Sequence, residues 1–268
     1  MRRNRLLLLT ALVMAFLLTG CFDIEQSLVL NKDMSGKAGF RMAIDFEPMV
    51  LTMLQVSRSM EGKKGPPSAD EIAAAKKDFL EKSKEKPQED PMADRKSIEE
   101  KLPKGITLVD ASAKQDGMKI TTKVVFGFTD PSKLALINMP SKKGENPSDK
   151  SVIDKPFDSL VIKDEGDTIL ITSKPADPMK GVKENTKEAG PGGGPGGGDN
   201  KEMEEMIKNA MKGLRVAFRI EAPFKVVESN ATRKDGKALL WEYNLDSFEK
   251  MQKEGKLDDL KVMVRYKK

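Results

Sequence analysis

A single cysteine constrains this 268-residue chain more than any other feature. Arg2, Arg3 and Arg5 make a short positive head, Leu6 to Leu18 follow as an almost unbroken apolar run, and Thr19-Gly20 lead into Cys21. That order of charge, apolar run and small residues is the layout of a secretory signal. The run is shorter than the ~20 residues a spanning helix needs. A plain signal peptide, or a short membrane anchor with Cys21 as an incidental thiol, shares the same first half. In each case the exported chain has no second cysteine with which to close a disulfide. Whatever it folds into must be held by burying apolar side chains.

The composition narrows the chemistry by exclusion. Histidine is absent, which removes the commonest general base near neutral pH and the commonest metal ligand. Serine–histidine and cysteine–histidine catalysis are both ruled out. The formal charge is +5, but three of those charges are Arg2, Arg3 and Arg5, so the remainder is close to +2. No basic block is interleaved with aromatic residues, and no nucleic-acid partner is expected. Charged residues make up 33% and aromatic residues 5%, which predicts a well-solvated surface over a modest core.

Along the chain, hairpins alternate with a few helices. Residues 22–30 read as a strand, the turn chemistry of Asn31 to Gly36 follows, and Phe40, Met42, Ile44 and Phe46 alternate as a second strand. Pro48 suits the first turn of a helix in which Met49, Met53, Val56 and Met60 share a face. A charged helical stretch is predicted over 69–84, a polar mobile one over 84–94, and a short helix over 93–102. A hairpin follows from Ile106 to Thr129 around Gln115-Asp116-Gly117, then one or two helical turns at 132–138 and another hairpin over 160–172. Residues 174–200 are rich in Pro, Gly and charge; with no leading strand and no Gly-Lys-Ser or Gly-Lys-Thr, they read as a linker and not as a phosphate loop. Beyond it, Met203, Met206, Ile207, Ala210, Met211 and Leu214 recur at helical spacing, and Val216, Phe218 and Ile220 alternate as a strand. Lys225 to Glu228 and Ala238 to Leu245 are expected to pair over Lys234-Asp235-Gly236, with Trp241 inward. A short helix at 246–252 and a strand through Val262, Val264 and Tyr266 end the pattern.

The sum is an α+β fold, an antiparallel sheet built from hairpins and packed with a few amphipathic helices. Residues 1–20 are assigned as signal, 21–173 as the first part of the folded region with a charged stretch at 62–104, 174–200 as linker, and 201–268 as the last part. That last part is small for an independent core without disulfides, so it is expected to complete a sheet begun before the linker. Two small domains flanking the linker are the alternative.

Leu18-Thr19-Gly20-Cys21 resembles the lipobox of bacterial lipoproteins. The resemblance implies cleavage between Gly20 and Cys21, a diacylglyceryl group on the Cys21 thiol, and acylation of the new amino terminus. Phe22 stands where some Gram-negative lipoproteins carry a retention aspartate. In a cell with two membranes this places the protein on the periplasmic face of the outer one, and in a cell with one membrane on its outer face. Two further passages, Asp33-Met34-Ser35-Gly36-Lys37-Ala38-Gly39-Phe40 and Ala222-Pro223-Phe224-Lys225-Val226-Val227-Glu228-Ser229-Asn230-Ala231 with Asp235-Gly236 and Trp241 after it, resemble the LppM-like bacterial envelope lipoproteins. That family implies an α+β domain on a lipid anchor, an envelope location and binding of polar lipids. It supplies no catalytic residue and no cofactor.

The remaining patterns are weaker. Asn31, Asp33, Ser35 and Gly36 have the spacing of half a calcium loop, but Met42 stands where the bidentate Glu belongs. Ser83–Lys86 and Ser247–Lys250 have the Ser-x-x-Lys spacing of some hydrolases. Glu202, Glu204, Glu205, Asp258 and Asp259 read as solvated carboxylates. The methionines carry most interest. Met49, Met53 and Met60 on one helix and Met203, Met206 and Met211 on another form a candidate apolar binding surface, since flexible thioethers repack around varied partners. They also fill ordinary cores. The expectation is a non-enzymatic envelope protein held to the membrane through Cys21 and binding an apolar or amphipathic ligand. The alternative is an interaction lipoprotein that docks to another envelope protein.

Overall fold

The computed structural model describes residues 22–63, 65–85, 94–139, 155–174, 213–256 and 260–268. The signal segment, the Gly-rich stretch and residues 203–212 of the helix expected through Leu214 lie outside them.

Alternating apolar residues build the strands. In β1 (Phe22–Leu30), Ile24, Gln26, Leu28 and Leu30 point inward and Asp23, Glu25, Ser27 and Val29 outward. The turn to β2 (Gly36–Asp45) closes through Asp33, whose carboxylate accepts from the Ser35 amide at 3.1 Å and its hydroxyl at 2.6 Å. This is a side-chain-stabilised hairpin turn, and Asp33 is spent on Ser35.

Helix α1 (Glu47–Met60) carries Pro48 in its first turn, and α2 (Ala69–Glu85) folds back against it. After the short α3 (Arg95–Glu99), capped by Asp94, come β3 (Ile106–Asp116) and β4 (Lys119–Phe128). Gly117, with φ +58°, takes the first position of their two-residue turn, where a side chain would be strained. A 3-10 turn (Pro131–Leu136) leads on to the hairpin of β5 (Val161–Asp164) and β6 (Thr168–Ser173). The last elements are β7 (Arg215–Glu221), β8 (Lys225–Ser229), β9 (Arg233–Asp235), β10 (Ala238–Asn244), α4 (Leu245–Lys253) and β11 (Val262–Lys267).

The fold is α+β, with two sheets among the described residues where the sequence predicts one. The larger has the order β3-β4-β2-β1-β7-β10-β9 and the smaller β5-β6-β11-β8. All pairings are antiparallel except β1 with β7, which run parallel from Asp23↔Arg215 to Val29↔Glu221. Strands from before and after the Gly-rich stretch pair in both sheets, β1 with β7 and β6 with β11.

The expected hairpin of 225–228 with 238–245 is not formed. Ala238 to Leu240 pair instead with the short β9, and β8 crosses to the smaller sheet to pair with β11. The reason is that Ala238, Leu239, Leu240 and Trp241 are buried on both faces of the strand, whereas Lys225 to Glu228 are exposed. A fully buried central strand and an exposed edge strand belong in different places.

The apolar faces of both sheets merge in one cluster, with Phe40, Phe126, Ile220 and Trp241 from the larger and Ile169, Ile171, Val264 and Tyr266 from the smaller. Ile98 of α3, and Leu134 and Ile137 at the 3-10 turn, close its sides. Phe126 and Phe157 meet edge to face at 6.2 Å. Polar groups also bridge the layers. The buried Gln26 amide donates to the Pro156 carbonyl. The Trp241 indole N–H donates to Asn230 Oδ1 at 2.6 Å, and the same oxygen accepts the Met263 amide of β11 at 2.8 Å. Burial of the Tyr266 hydroxyl, which has no partner among the described residues, pushes its pKa up to about 12.

Candidate functional site

The structure offers two surfaces at opposite ends of β1. Nine residues of strand at ~3.3 Å each put about 26 Å between them.

The first lies at the Phe22 end, next to Cys21. Phe22 pairs with Ile44, so β2 ends and α1 begins at that end of the sheet. The Phe46 amide donates to the Met118 carbonyl at 3.0 Å, and the Phe46 and Phe79 rings meet at 5.3 Å, fastening the base of the two-helix unit. Glu47 pairs with Lys76 at 2.5 Å and Arg58 pairs with Glu71, so these residues mark the side of α1 that faces α2. Met49 and Met53 lie about 200° and 240° around the helix from Glu47, on the opposite side. They are 38% and 64% exposed. Of the methionines singled out from sequence, these two are therefore on the surface. Met60 has no described side chain, and Met203, Met206 and Met211 lie outside the described residues.

The second is an open groove of about 570 Å³ at the far end, lined by Val29, Asn31, Ser35, Lys37, Thr107, Gly127 and Thr129 among others. Its floor is one row of the larger sheet, read across four strands as Val29↔Lys37, Lys37↔Gly127 and Gly127↔Thr107. Gly127 lets its neighbours close in over the strand: a Cβ there would stand 2.8 Å from Thr107 Oγ1 and 3.4 Å from Val109 Cγ2. A bulge between Leu108 and Asp110 leaves Val109 unpaired and 45% exposed beside Gly127. Val29, 39% exposed, supplies the other apolar wall.

The polar lining is lightly committed. Thr107 and Thr129 donate to backbone carbonyls at 3.4 and 3.5 Å, long enough to be given up to a better acceptor. Lys133 Nζ and Thr129 Oγ1 would each lie 3.3 Å from a Cβ at Gly105. Neither Lys37 nor Lys133 makes an ion pair among the described residues. The nearby acids Asp33 and Asp130 are held low by hydrogen bonds from Ser35 and Ser132 respectively. The groove thus combines the Lys37 ammonium, hydroxyls and the apolar Val29, with Lys133 beside its Gly105 edge and Val109 beside Gly127.

Between the two ends, the outer face of the larger sheet carries a charge network. Arg215 donates to Asp23 at 2.7 Å, to Glu25 at 3.4 Å and to Glu242 at 2.9 Å, and Arg41 donates to Asp23 at 2.7 Å. Burial raises the Asp23 pKa, but the hydrogen bonds from Arg41 and Arg215 outweigh it and leave the carboxyl below its usual range.

Both serines of the Ser-x-x-Lys pairs donate to a nearby backbone carbonyl or a neighbouring side chain. Ser83 donates to the Leu80 carbonyl and Ser247 to Asn244 Oδ1 at the start of α4, while Lys86 lies outside the described residues. Glu202, Glu204, Glu205, Asp258 and Asp259 also lie outside them. No group of three or more metal-binding side chains occurs among the described residues. Trp241 is a core residue with no exposed surface. Sequence reasoning missed the groove. Its signals were Gly127 within an otherwise bulky strand and the surplus Val109, and both acquire meaning only once four strands are in register.

No family model matches the chain, and no curated protein matches it. Among solved structures it is similar to the NMR structure of the folded domain of Mycobacterium tuberculosis LppM, with 9% identity and a TM-score of 0.42 over 92% of this chain and 90% of that one. No residue role passes between chains at that level.

Proposed function

We propose that this is a lipid-anchored bacterial envelope protein that binds an amphipathic ligand, such as the head and glycerol region of an envelope lipid, in the groove at the far end of β1, and that it catalyses no reaction. The anchor rests on Leu18-Thr19-Gly20-Cys21. The observation that carries the binding reading is the row Val29–Lys37–Gly127–Thr107, where Lys37, which makes no ion pair among the described residues, and loosely held hydroxyls lie beside the apolar Val29, with Lys133 at the Gly105 edge. Ammonium groups suit an anionic head, threonine hydroxyls suit its ester or hydroxyl oxygens, and Val29 and Val109 suit the first methylenes of a chain. The open shape suits a ligand that is gripped at its head and not enclosed.

The test is calorimetric titration with dihexanoyl phosphatidylglycerol. The double variant Lys37→Glu/Lys133→Glu is expected to bind at least about tenfold more weakly, from the loss of two charge-assisted contacts. Gly127→Val, which would push Thr107 and Val109 aside on the floor, should weaken binding without altering the charge. Unchanged affinity in both would rule the groove out.

A second reading, docking to another envelope protein, is favoured by β8, an edge strand on which Val226 and Val227 are 37% and 56% exposed. Exposed edges of this kind pair readily with other chains. Crosslinking at Val227 in intact cells distinguishes the two, since a lipid-binding module leaves no protein adduct there.

A further inference from the structure

We infer that the methionine face of α1 rests on the bilayer that holds Cys21, so that the anchor and the helix together fix the orientation of the folded part. The inference relies on the lipidation reading and adds an interaction surface to it.

Three observations converge on this occupant. The anchor residue directly precedes β1, and the register Phe22↔Ile44 puts the start of α1 one strand spacing and three residues away from it. The ion pairs Glu47–Lys76 and Arg58–Glu71 commit the opposite side of α1 to α2 and leave Met49 and Met53 turned away from the helical partner. Val56, about 180° from Glu47, extends the same face, and the exposed residues that flank it, Ser57 and Ser59, are polar but uncharged, so seating the face in a headgroup layer buries no ion. Thioether side chains adapt to a fluid apolar layer better than branched ones do.

A diacylated cysteine already retains a protein on a membrane, so the face is not needed for retention. What it changes is posture. Tethering keeps the helix beside the bilayer at high effective concentration, where a weak apolar contact is enough to hold one orientation. With α1 down, the groove at the other end of β1 stands about 26 Å away from the membrane-facing end.

The test uses the lipidated protein reconstituted into vesicles of phosphatidylethanolamine and phosphatidylglycerol. An environment-sensitive fluorophore is placed by Met53→Cys or, as the far-end control, by Lys37→Cys, once Cys21 is shown by mass to be modified. Flotation with the vesicles reports the anchor independently of the label. The expected result is flotation of both, with the Met53→Cys label blue-shifted and quenched several times more strongly by nitroxide-bearing lipid than the control. Flotation with both labels equally wet overturns the docking face and leaves the anchor standing. A Met53→Cys label shielded equally in detergent and in vesicles, and insensitive to nitroxide lipid, assigns the face to another part of the chain or to a second copy and also overturns it. Failure to float removes the anchor and the proposal with it.

Discussion

Trp241→Ala is expected to destabilise the protein by about 4 kcal/mol, the range for removing a fully buried aromatic side chain. The indole has no exposed surface and packs in the cluster shared by both sheets. Its N–H donates to Asn230 Oδ1, which also accepts the Met263 amide, while Asn230 Nδ2 donates to the Lys261 carbonyl at 2.7 Å. One asparagine thereby ties β10 of the larger sheet to β11 of the smaller. Asn230→Ala should cost less, about 1–2 kcal/mol, because its own position is exposed and water can reach part of what it leaves. Trp241→Phe should fall between, retaining most of the packing. Urea denaturation monitored by circular dichroism gives all three values. A Trp241→Ala cost below about 1 kcal/mol would contradict the merged core.

The second large effect concerns Arg215. It is the shared donor for Asp23, Glu25 and Glu242 across β1, β7 and β10, and Arg215→Ala leaves those carboxylates facing one another with only Arg41 and Arg233 nearby. A loss of about 2 kcal/mol at pH 7 is expected, reduced from the fully buried case because the side chains are about one-third exposed. The pH dependence identifies the cause. The folded-state pKa of Asp23 lies below its unfolded value, so its contribution is present above about pH 4 and is lost as pH falls through the folded value. The difference between wild type and Arg215→Ala should therefore shrink as pH falls below about 4 and through the folded value. A difference that stays constant with pH would assign the loss to packing of the arginine stem instead.

Local patterns were legible where a residue's neighbours in sequence decide its structure. The hairpins at 22–45 and 106–128 and the helix opened by Pro48 could all be read from alternation and turn residues. Pairings set by distant residues were not legible. Lys225 to Glu228 and Ala238 to Leu245 look like a hairpin because a turn separates them, and only the double-sided burial of β10 and the exposure of β8 send them to different sheets. The parallel contact of β1 with β7 has no local signature, since its strands are almost two hundred residues apart in sequence. The same holds for the candidate site. That Met49 and Met53 share a face follows from helical spacing, but their exposure depends on where α2 folds back. The groove required Val29, Lys37, Gly127 and Thr107 from four strands to fall into one row.

The near and far ends of this molecule are defined by Cys21, so its chemical state is the first thing to measure. Intact-mass and amino-terminal peptide analysis of the protein extracted from bacterial membranes should find a chain that starts at Cys21 and carries a diacylglyceryl thioether. A chain that starts elsewhere, or a Cys21 with a free thiol, would contradict the anchor and leave no reason to place the methionine face of α1 against a membrane.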